Sequence, residues 1–368
     1  MHKKICFVSL GSLPLLSIDE KIERIGGGEL KQVLIGKELA KNGFKISFIT
    51  YDETCEKKYS DEITIIKSFS PCKNFSDLKK AVIIWKSLKK ANADIYFQGN
   101  GPPGIIPLYC KLHGKKYVKW LTNDRILFIK NIVSNHTILT RMTTYFDIKF
   151  THLIIAQNSF QKEIVKKKFK KKCVIINNPV VISDADNEKN IKNKNIILWV
   201  GNIRSIKQPE LFLKLATSFP EYTFKLIGGE SSKEKELFSE IKKKANPIVN
   251  LEFLGFVPHY EMKRYYEEAS ILINTSKSEG FPNTFLEAWT NKTPVISLNV
   301  DPDEVICNEK LGLHSKTFEQ LMLDVKELLN NDKMRDEIGI NAIKYVKKNH
   351  DFKKITKQFE DIITNLEK

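Results

Sequence analysis

Short apolar runs recur along the chain, and most are followed by a turn and then by a stretch with helical spacing. A run that short, apolar on both of its faces, suits a strand buried on both sides, and the helical crossovers between such runs make successive strands parallel. The first runs are Lys4 to Ser9 and Phe44 to Thr50, with a Gly-rich turn at Gly26-Gly27-Gly28 and helical spacing over Glu29 to Lys41 between them. Further strands are expected at Ile63 to Ile66, Asp94 to Gln98, Lys116 to Leu121, Leu153 to Ala156 and Cys173 to Ile176. The pattern restarts at Asn195 to Val200 and continues through a helix at Pro209 to Ser218. Strands at Thr223 to Ile227, Leu251 to Phe253, Ile271 to Asn274 and Pro294 to Ser297 follow, and Phe318 to Glu367 is helical in pattern. The fold class is α/β, with two doubly wound, Rossmann-like domains.

At 368 residues the chain exceeds the size at which one hydrophobic core stops growing, which argues for two domains. Residues 182–195 have almost no apolar content, as a linker does, so the expected division is residues 1–181, the linker, then residues 196–345. Residues 346–368 are expected to form a terminal helix that packs back on the first domain. With 42% hydrophobic and 28% charged residues, the composition excludes a disordered or collagen-like chain. Sixty Lys and Arg against 44 Asp and Glu leave a net charge of +16, which attracts anionic partners without choosing among them. The six cysteines are scattered, with no C-x-x-C pair and no His cluster at zinc spacing, which suits reduced thiols and a cytoplasmic location. The amino-terminal apolar run is broken by Gly11 and Pro14 and is not read as a secretory signal, and no stretch reaches the length of a membrane span.

In open parallel sheets, ligands bind beyond the carboxyl ends of the strands, so the turns there are the places to inspect. Gly26-Gly27-Gly28 either brings backbone close to an anion at a helix N-terminus or is only a flexible turn. Gly201-Asn202-Ile203-Arg204-Ser205-Ile206-Lys207 ends a strand with two cations, which either bracket a diphosphate or are simply solvated. The strongest signal runs from Asn274 to Trp289. Here a strand ends in small polar residues, Glu279 and Gly280 follow, and Pro282 opens a helix whose first N–H groups, around Asn283 and Thr284, suit phosphate. Glu287 lies about one turn inside that helix, placed for a ribose, while Glu279 stays in the loop to meet another ring.

With these residues in place, the chain resembles the retaining nucleotide-sugar glycosyltransferases of family 4, which have the GT-B fold of two Rossmann-like domains facing across a cleft. Glu279 and Glu287 match the family's Glu, seven residues, Glu signature, and Glu279-Gly280-Phe281-Pro282 with Leu286-Glu287-Ala288 reads close to its usual form. The triple glycine, Asn177-Asn178-Pro179, Lys207 six residues after Gly201, and Thr293-Pro294-Val295-Ile296 also fit. Two departures stand out. Asn202 occupies the place of the family's arginine, with Arg204 the nearest guanidinium, and Thr122-Asn123-Asp124 occupies that of its histidine. Asn123 or Asp124 either replaces the histidine's hydrogen bond near the sugar or is a helix cap. Phe256 and Val257, in Gly255-Phe256-Val257-Pro258, look like the family's base-binding loop. Neither D-x-D string, Asp184-Ala185-Asp186 or Asp301-Pro302-Asp303, is read as a metal site.

The resemblance implies transfer of a sugar from a UDP- or GDP-linked donor to a glycan or lipid-linked acceptor, with retention and without a metal or other cofactor. It gives Arg204 and Lys207 the charge of the leaving diphosphate. Glu279 with Gly280, Phe281, Pro282, Asn283 and Thr284 receives the sugar and phosphate, and Glu287 the ribose. Gly28 and Gly201 approach the donor, and Gly27 lies near the acceptor. The rival readings are a sugar-nucleotide epimerase and a catalytically silent binding subunit; a nucleic-acid partner is not expected, because the charge is spread and no such module is present. Residues 160–172 hold seven lysines, with Phe160, Ile164, Val165 and Phe169 on one side of a helical projection. This segment either docks peripherally on an anionic membrane or buries its stripe in the core of its own domain.

Overall fold

The computed structural model describes residues 3–17, 27–53, 62–99, 104–122, 127, 138–182, 195–231 and 234–366. The chain divides into two compact units, one made of Met1–Pro179 with Lys353–Lys368 and the other of Val180–Phe352.

The strands of the first unit are β1 (Lys4–Val8), β2 (Lys45–Thr50), β3 (Ile63–Lys67), β4 (Ile95–Gln98), β5 (Lys116–Trp120), β6 (Leu153–Ala156) and β7 (Cys173–Ile175). They form one parallel sheet in the order β3-β2-β1-β4-β5-β6-β7. Register places Phe7 opposite Phe48 on one side and Phe97 on the other, and the rings stack at 5.0 and 5.2 Å. The terminal helix Phe352–Asn365 buries Ile355, Phe359 and Ile363, spaced by four residues, and Phe359 meets Trp120 at 4.8 Å. Each such fully buried side chain contributes about 1.5–3 kcal/mol.

The second unit contains β8 (Ile196–Val200), β9 (Thr223–Ile227), β10 (Leu251–Gly255), β11 (Ile271–Asn274), β12 (Val295–Ser297) and β13 (Gly312–His314). Their order, β10-β9-β8-β11-β12-β13, is again parallel and reverses direction beside the first strand, which creates a crevice for ligands at the carboxyl edge. Ile197 and Trp199 feed one core and Ile196 and Leu198 the other, so both faces of β8 are covered.

Three sequence expectations need correction. The helix of the first unit starts at Gly27, so Gly27 and Gly28 are its first residues and not a turn ahead of it; Gly26 lies outside the described residues. The strand β13 was not anticipated, because it has three residues and begins at a glycine that fits tightly: a Cβ on Gly312 would stand 1.8 Å from Val295 O. The segment from Phe160 is not one regular helix. An α-helical Ser159–Ile164 passes into a wider π turn, Val165–Phe169, ended by Lys170 at φ 49°. Val165 is buried with Leu121, Ile148 and Ile154, and Ile164 and Phe169 pack against the same cluster, so three of the four apolar residues serve their own core and Phe160 stays exposed. Among the described residues, no helix is long and apolar enough to cross a membrane.

Candidate active site

Three adjacent strand ends of the second unit are closed by glycine. Gly201 donates its N–H to Ile227 O at 3.0 Å and Gly228 donates to Gly255 O at 2.8 Å, which aligns the turns after β8 and β9 with the end of β10. A Cβ on Gly228 would lie 2.2 Å from Gly201 O, so contact distance alone requires glycine there. Phe256 lies beside Gly229, its ring 40% exposed, and Asn202 Oδ1 approaches the same glycine. Val257 turns inward and packs on the core.

The loops after β8 and β11 are bound into one structure. Trp199 Nε1 donates to Thr275 Oγ1 at 2.9 Å, Thr275 Oγ1 donates to Lys207 O at 2.6 Å, and the Lys277 N–H donates to Ile206 O at 2.8 Å. These bonds bring Lys207 Nζ onto Glu279 Oε1 as a mostly buried ion pair, and Ser276 Oγ donates to the same oxygen at 2.9 Å. The carboxylate is thereby held in one orientation, and the ammonium is preorganised at the strand end. Arg204 is turned elsewhere. Its Nε stands 3.7 Å from Glu234 Oε1, and the Ser205 N–H donates to the other oxygen of Glu234 at 2.6 Å. That N–H chiefly holds the Glu234 carboxyl below the usual range; burial opposes it, and the Ser205 side chain and Arg204 add smaller lowering effects.

Pro282 precedes the helix Asn283–Thr290, which has no side-chain cap at its start and so presents the positive end of its dipole there. Gly280 and Pro282 are buried, and Asn283 and Thr284 are half-buried in the first turn. Phe281 is a core residue, 8% exposed and packed against Trp289 and His350, so it can offer a ligand only its backbone. Glu287 lies four residues into the helix, about 6 Å along the axis. Tyr266 donates its hydroxyl to Glu287 Oε2 at 2.6 Å, and His259 Nε2 lies 3.5 Å from Oε1. Burial, then Glu287, pushes the Tyr266 hydroxyl well above its ordinary value, and the hydrogen bond to Glu287 raises His259 above 6.5 against desolvation.

The structure therefore gathers Lys207 with Glu279, sets Gly201 beside Lys207, and gives Glu287 the partners Tyr266 and His259. Gly27 and Gly28 belong to the first unit, and Asn123 and Asp124 lie outside the described residues. Sequence reasoning missed His259, Tyr266 and Glu234. His259 stands two residues past Val257 and could have been found from that nearness, whereas a buried tyrosine 21 residues before Glu287 carries no sequence signal.

The two doubly wound parallel sheets match the fold of GT-B glycosyltransferases. Residues 181–345, nearly the whole of the second unit, match the profile of the family Glycosyl transferases group 1. An uncharacterized glycosyltransferase of Haemophilus influenzae is 23% identical over 92% of this chain and 96% of its own. The Campylobacter jejuni enzyme named GalNAc-alpha-(1->4)-GalNAc-alpha-(1->3)-diNAcBac-PP-undecaprenol alpha-1,4-N-acetyl-D-galactosaminyltransferase is 24% identical over 71% of this chain and 74% of its own. Among solved structures, sucrose-phosphate synthase of Thermosynechococcus elongatus has a TM-score of 0.81 at 16% identity, over 99% of each chain. Anabaena Alr3699/HepE, in complex with UDP-glucose, has a TM-score of 0.75 at 14% identity, over 99% of this chain and 100% of its own. At such identities the structural likeness is one of fold.

Proposed function

We propose that this chain transfers a sugar from a nucleotide-diphosphate donor to a hydroxyl of a glycan or lipid-linked acceptor, with retention of configuration, in the synthesis of a cell-surface polysaccharide or glycoconjugate. The observation that carries the reading is the Lys207–Glu279 pair, held at the ends of β8 and β11 next to the start of the helix bearing Glu287. A diphosphate needs cations and N–H groups, a sugar ring needs a fixed carboxylate, and a ribose needs a second carboxylate about one helical turn away. The second unit supplies all three. A UDP-sugar is the first donor to try, since HepE was crystallised with UDP-glucose, and the name of the Campylobacter relative describes a polyprenol-linked acceptor.

In the proposed reaction the bond between C1 and the diphosphate oxygen breaks, and its electron pair leaves with the diphosphate. The acceptor hydroxyl attacks C1 from the same face and passes its proton to the departing phosphate oxygen. Lys207, with Arg204 once it is drawn from Glu234, stabilises the charge that develops. Glu279 and the backbone from Gly280 to Asn283 orient the sugar, Glu287 holds the ribose, and no metal takes part. Gly201 and Phe256 are read as lining the way to the base, Val257 supports that loop from the core side, and the parts given to Gly27, Gly28, Asn123 and Asp124 rest on the family resemblance alone.

The test is a binding screen of UDP-, GDP- and ADP-sugars, followed by transfer with NMR assignment of the product anomer. One donor class bound, and a product with the donor's anomeric configuration, is the expected result. Inversion would overturn the mechanism, turnover without acceptor would point to an epimerase, and binding without transfer or hydrolysis to a silent subunit.

A further inference from the structure

On the far strands of the second sheet lies a group of side chains that the reaction above does not use. Asp301 follows β12, Cys307 sits on the short helix Val305–Asn308, and His314 is the last residue of β13. One carboxylate oxygen, the thiol sulfur and one imidazole nitrogen all fall within 4.8 Å of one another. The carboxylate is fixed from behind: Asp301 Oδ1 accepts the Ile306 N–H at 2.8 Å and Oδ2 accepts the Cys307 N–H at 3.3 Å.

The imidazole gives the second observation. His314 Nδ1 stands 3.9 Å from Asp301 Oδ2, too far for a hydrogen bond, while Nε2 is buried and has no hydrogen-bond partner. A buried ring nitrogen left without a bond costs about 1–3 kcal/mol and calls for an explanation in ligand chemistry. Cys307 and His314 also line a cavity of about 530 Å³, together with Lys310, Gln320, Asp324 and Glu337, so one side of the group is open.

From this arrangement we propose that Asp301, Cys307 and His314 bind a divalent transition metal of the zinc class, with a fourth position open to the cavity. Thiolate, imidazole and carboxylate together suit Zn²⁺ or Co²⁺, whose bonds of about 2.0–2.3 Å small side-chain rotations here would satisfy, and disfavour Mg²⁺ and Ca²⁺. Binding displaces the thiol proton of Cys307 to solvent. Asp303, the other carboxylate of the Asp-Pro-Asp string, is no part of the ligand set, so the site differs from a D-x-D metal site. The ion ties the turn after β12, the short helix and the end of β13 into one unit. The proposal stands apart from the sugar-transfer reading.

The test uses the full chain, free of tags and washed with chelator, titrated with Co²⁺ while thiolate-to-cobalt absorption is recorded. One Co²⁺ per chain with a thiolate band, displaced by Zn²⁺ and not by Mg²⁺, is expected. Cys307→Ser should abolish the band, His314→Gln should weaken binding at least tenfold, and Zn²⁺ should raise the thermal midpoint of the wild type but not of Cys307→Ser. Absence of the band in the wild type, or its persistence in Cys307→Ser, overturns the proposal. Circular dichroism verifies the fold of each variant, and Cys307 is exposed, so serine there leaves the core untouched.

Discussion

Replacing Lys31 by methionine should stabilise the first unit near neutral pH and lose that advantage in alkali. Lys31 lies on the helix Gly27–Lys41 and is 4% exposed; its Nζ donates to Asn178 Oδ1 at 2.8 Å and stands 5.7 Å from the centre of the Trp120 ring. Burial pushes its pKa down from 10.5 to about 7, with Glu29 pulling the other way. Between those two values the unfolded chain binds more protons than the folded one, so this group makes stability rise with pH across that window, and below about 7 its penalty is constant. The penalty comes to about 4 kcal/mol at pH 7 and about 2 kcal/mol at pH 9. Methionine keeps most of the volume but gives up the Lys31 hydrogen bond to Asn178 Oδ1, which costs about 0.5–1.5 kcal/mol at any pH. The constant cost cancels when the two pH values are compared, so the stability gap between variant and wild type should shrink by about 2 kcal/mol from pH 7 to pH 9. Urea unfolding of the full chain at both pH values, fitted with one transition per unit, reads this difference. A gap that does not change with pH would refute the claim that burial shifts Lys31.

Lys207→Ala should lower kcat by about 10²–10³, or about 2.7–4 kcal/mol, through loss of a preorganised cation; wild-type turnover in a folded variant removes Lys207 from the mechanism. The His259 ring should titrate above 6.5 by NMR and return toward that value in Glu287→Gln, since the raising comes from Glu287; an unchanged midpoint breaks the pairing. Transfer should continue in exhaustively chelated buffer, because the proposed reaction takes its cation from Lys207, and loss of activity restored only by Mg²⁺ or Mn²⁺ would count against the mechanism. Sedimentation with anionic vesicles at low salt, weakened by Lys166, Lys167, Lys170 and Lys171→Gln, is expected if exposed Phe160 and its lysines dock on a lipid-linked acceptor's membrane; a protein that stays in the supernatant points to another acceptor.

Almost every strand was legible in the sequence, because a strand covered on both faces must be a short apolar run, as Ile196–Val200 and Ile271–Asn274 are. The turn from Asn274 to Trp289 was legible too, since a strand end, a glycine, Pro282 and two spaced carboxylates are all local features. Other matters depended on which strands became neighbours. Lys207 and Glu279 are 72 residues apart, and only the placing of β11 next to β8 makes them a pair, while the placing of β9 on the other side of β8 lets Arg204 turn to Glu234. Tyr266 and His259 meet Glu287 because the segment that carries them, ending in the helix Met262–Glu268, packs against the helix Asn283–Thr290. The sequence presents Lys31 as one more lysine on a helix, and only packing against Asn178 and Trp120 strips it of water and shifts its proton equilibrium. Asp301, Cys307 and His314 show no ligand spacing along the chain, and the pairing of β12 with β13 brings them together. Periodicity is a property of neighbouring residues, so the chain itself determines its strands and helices; burial and charge pairing belong to contacts between distant segments, and the tertiary structure alone decides them.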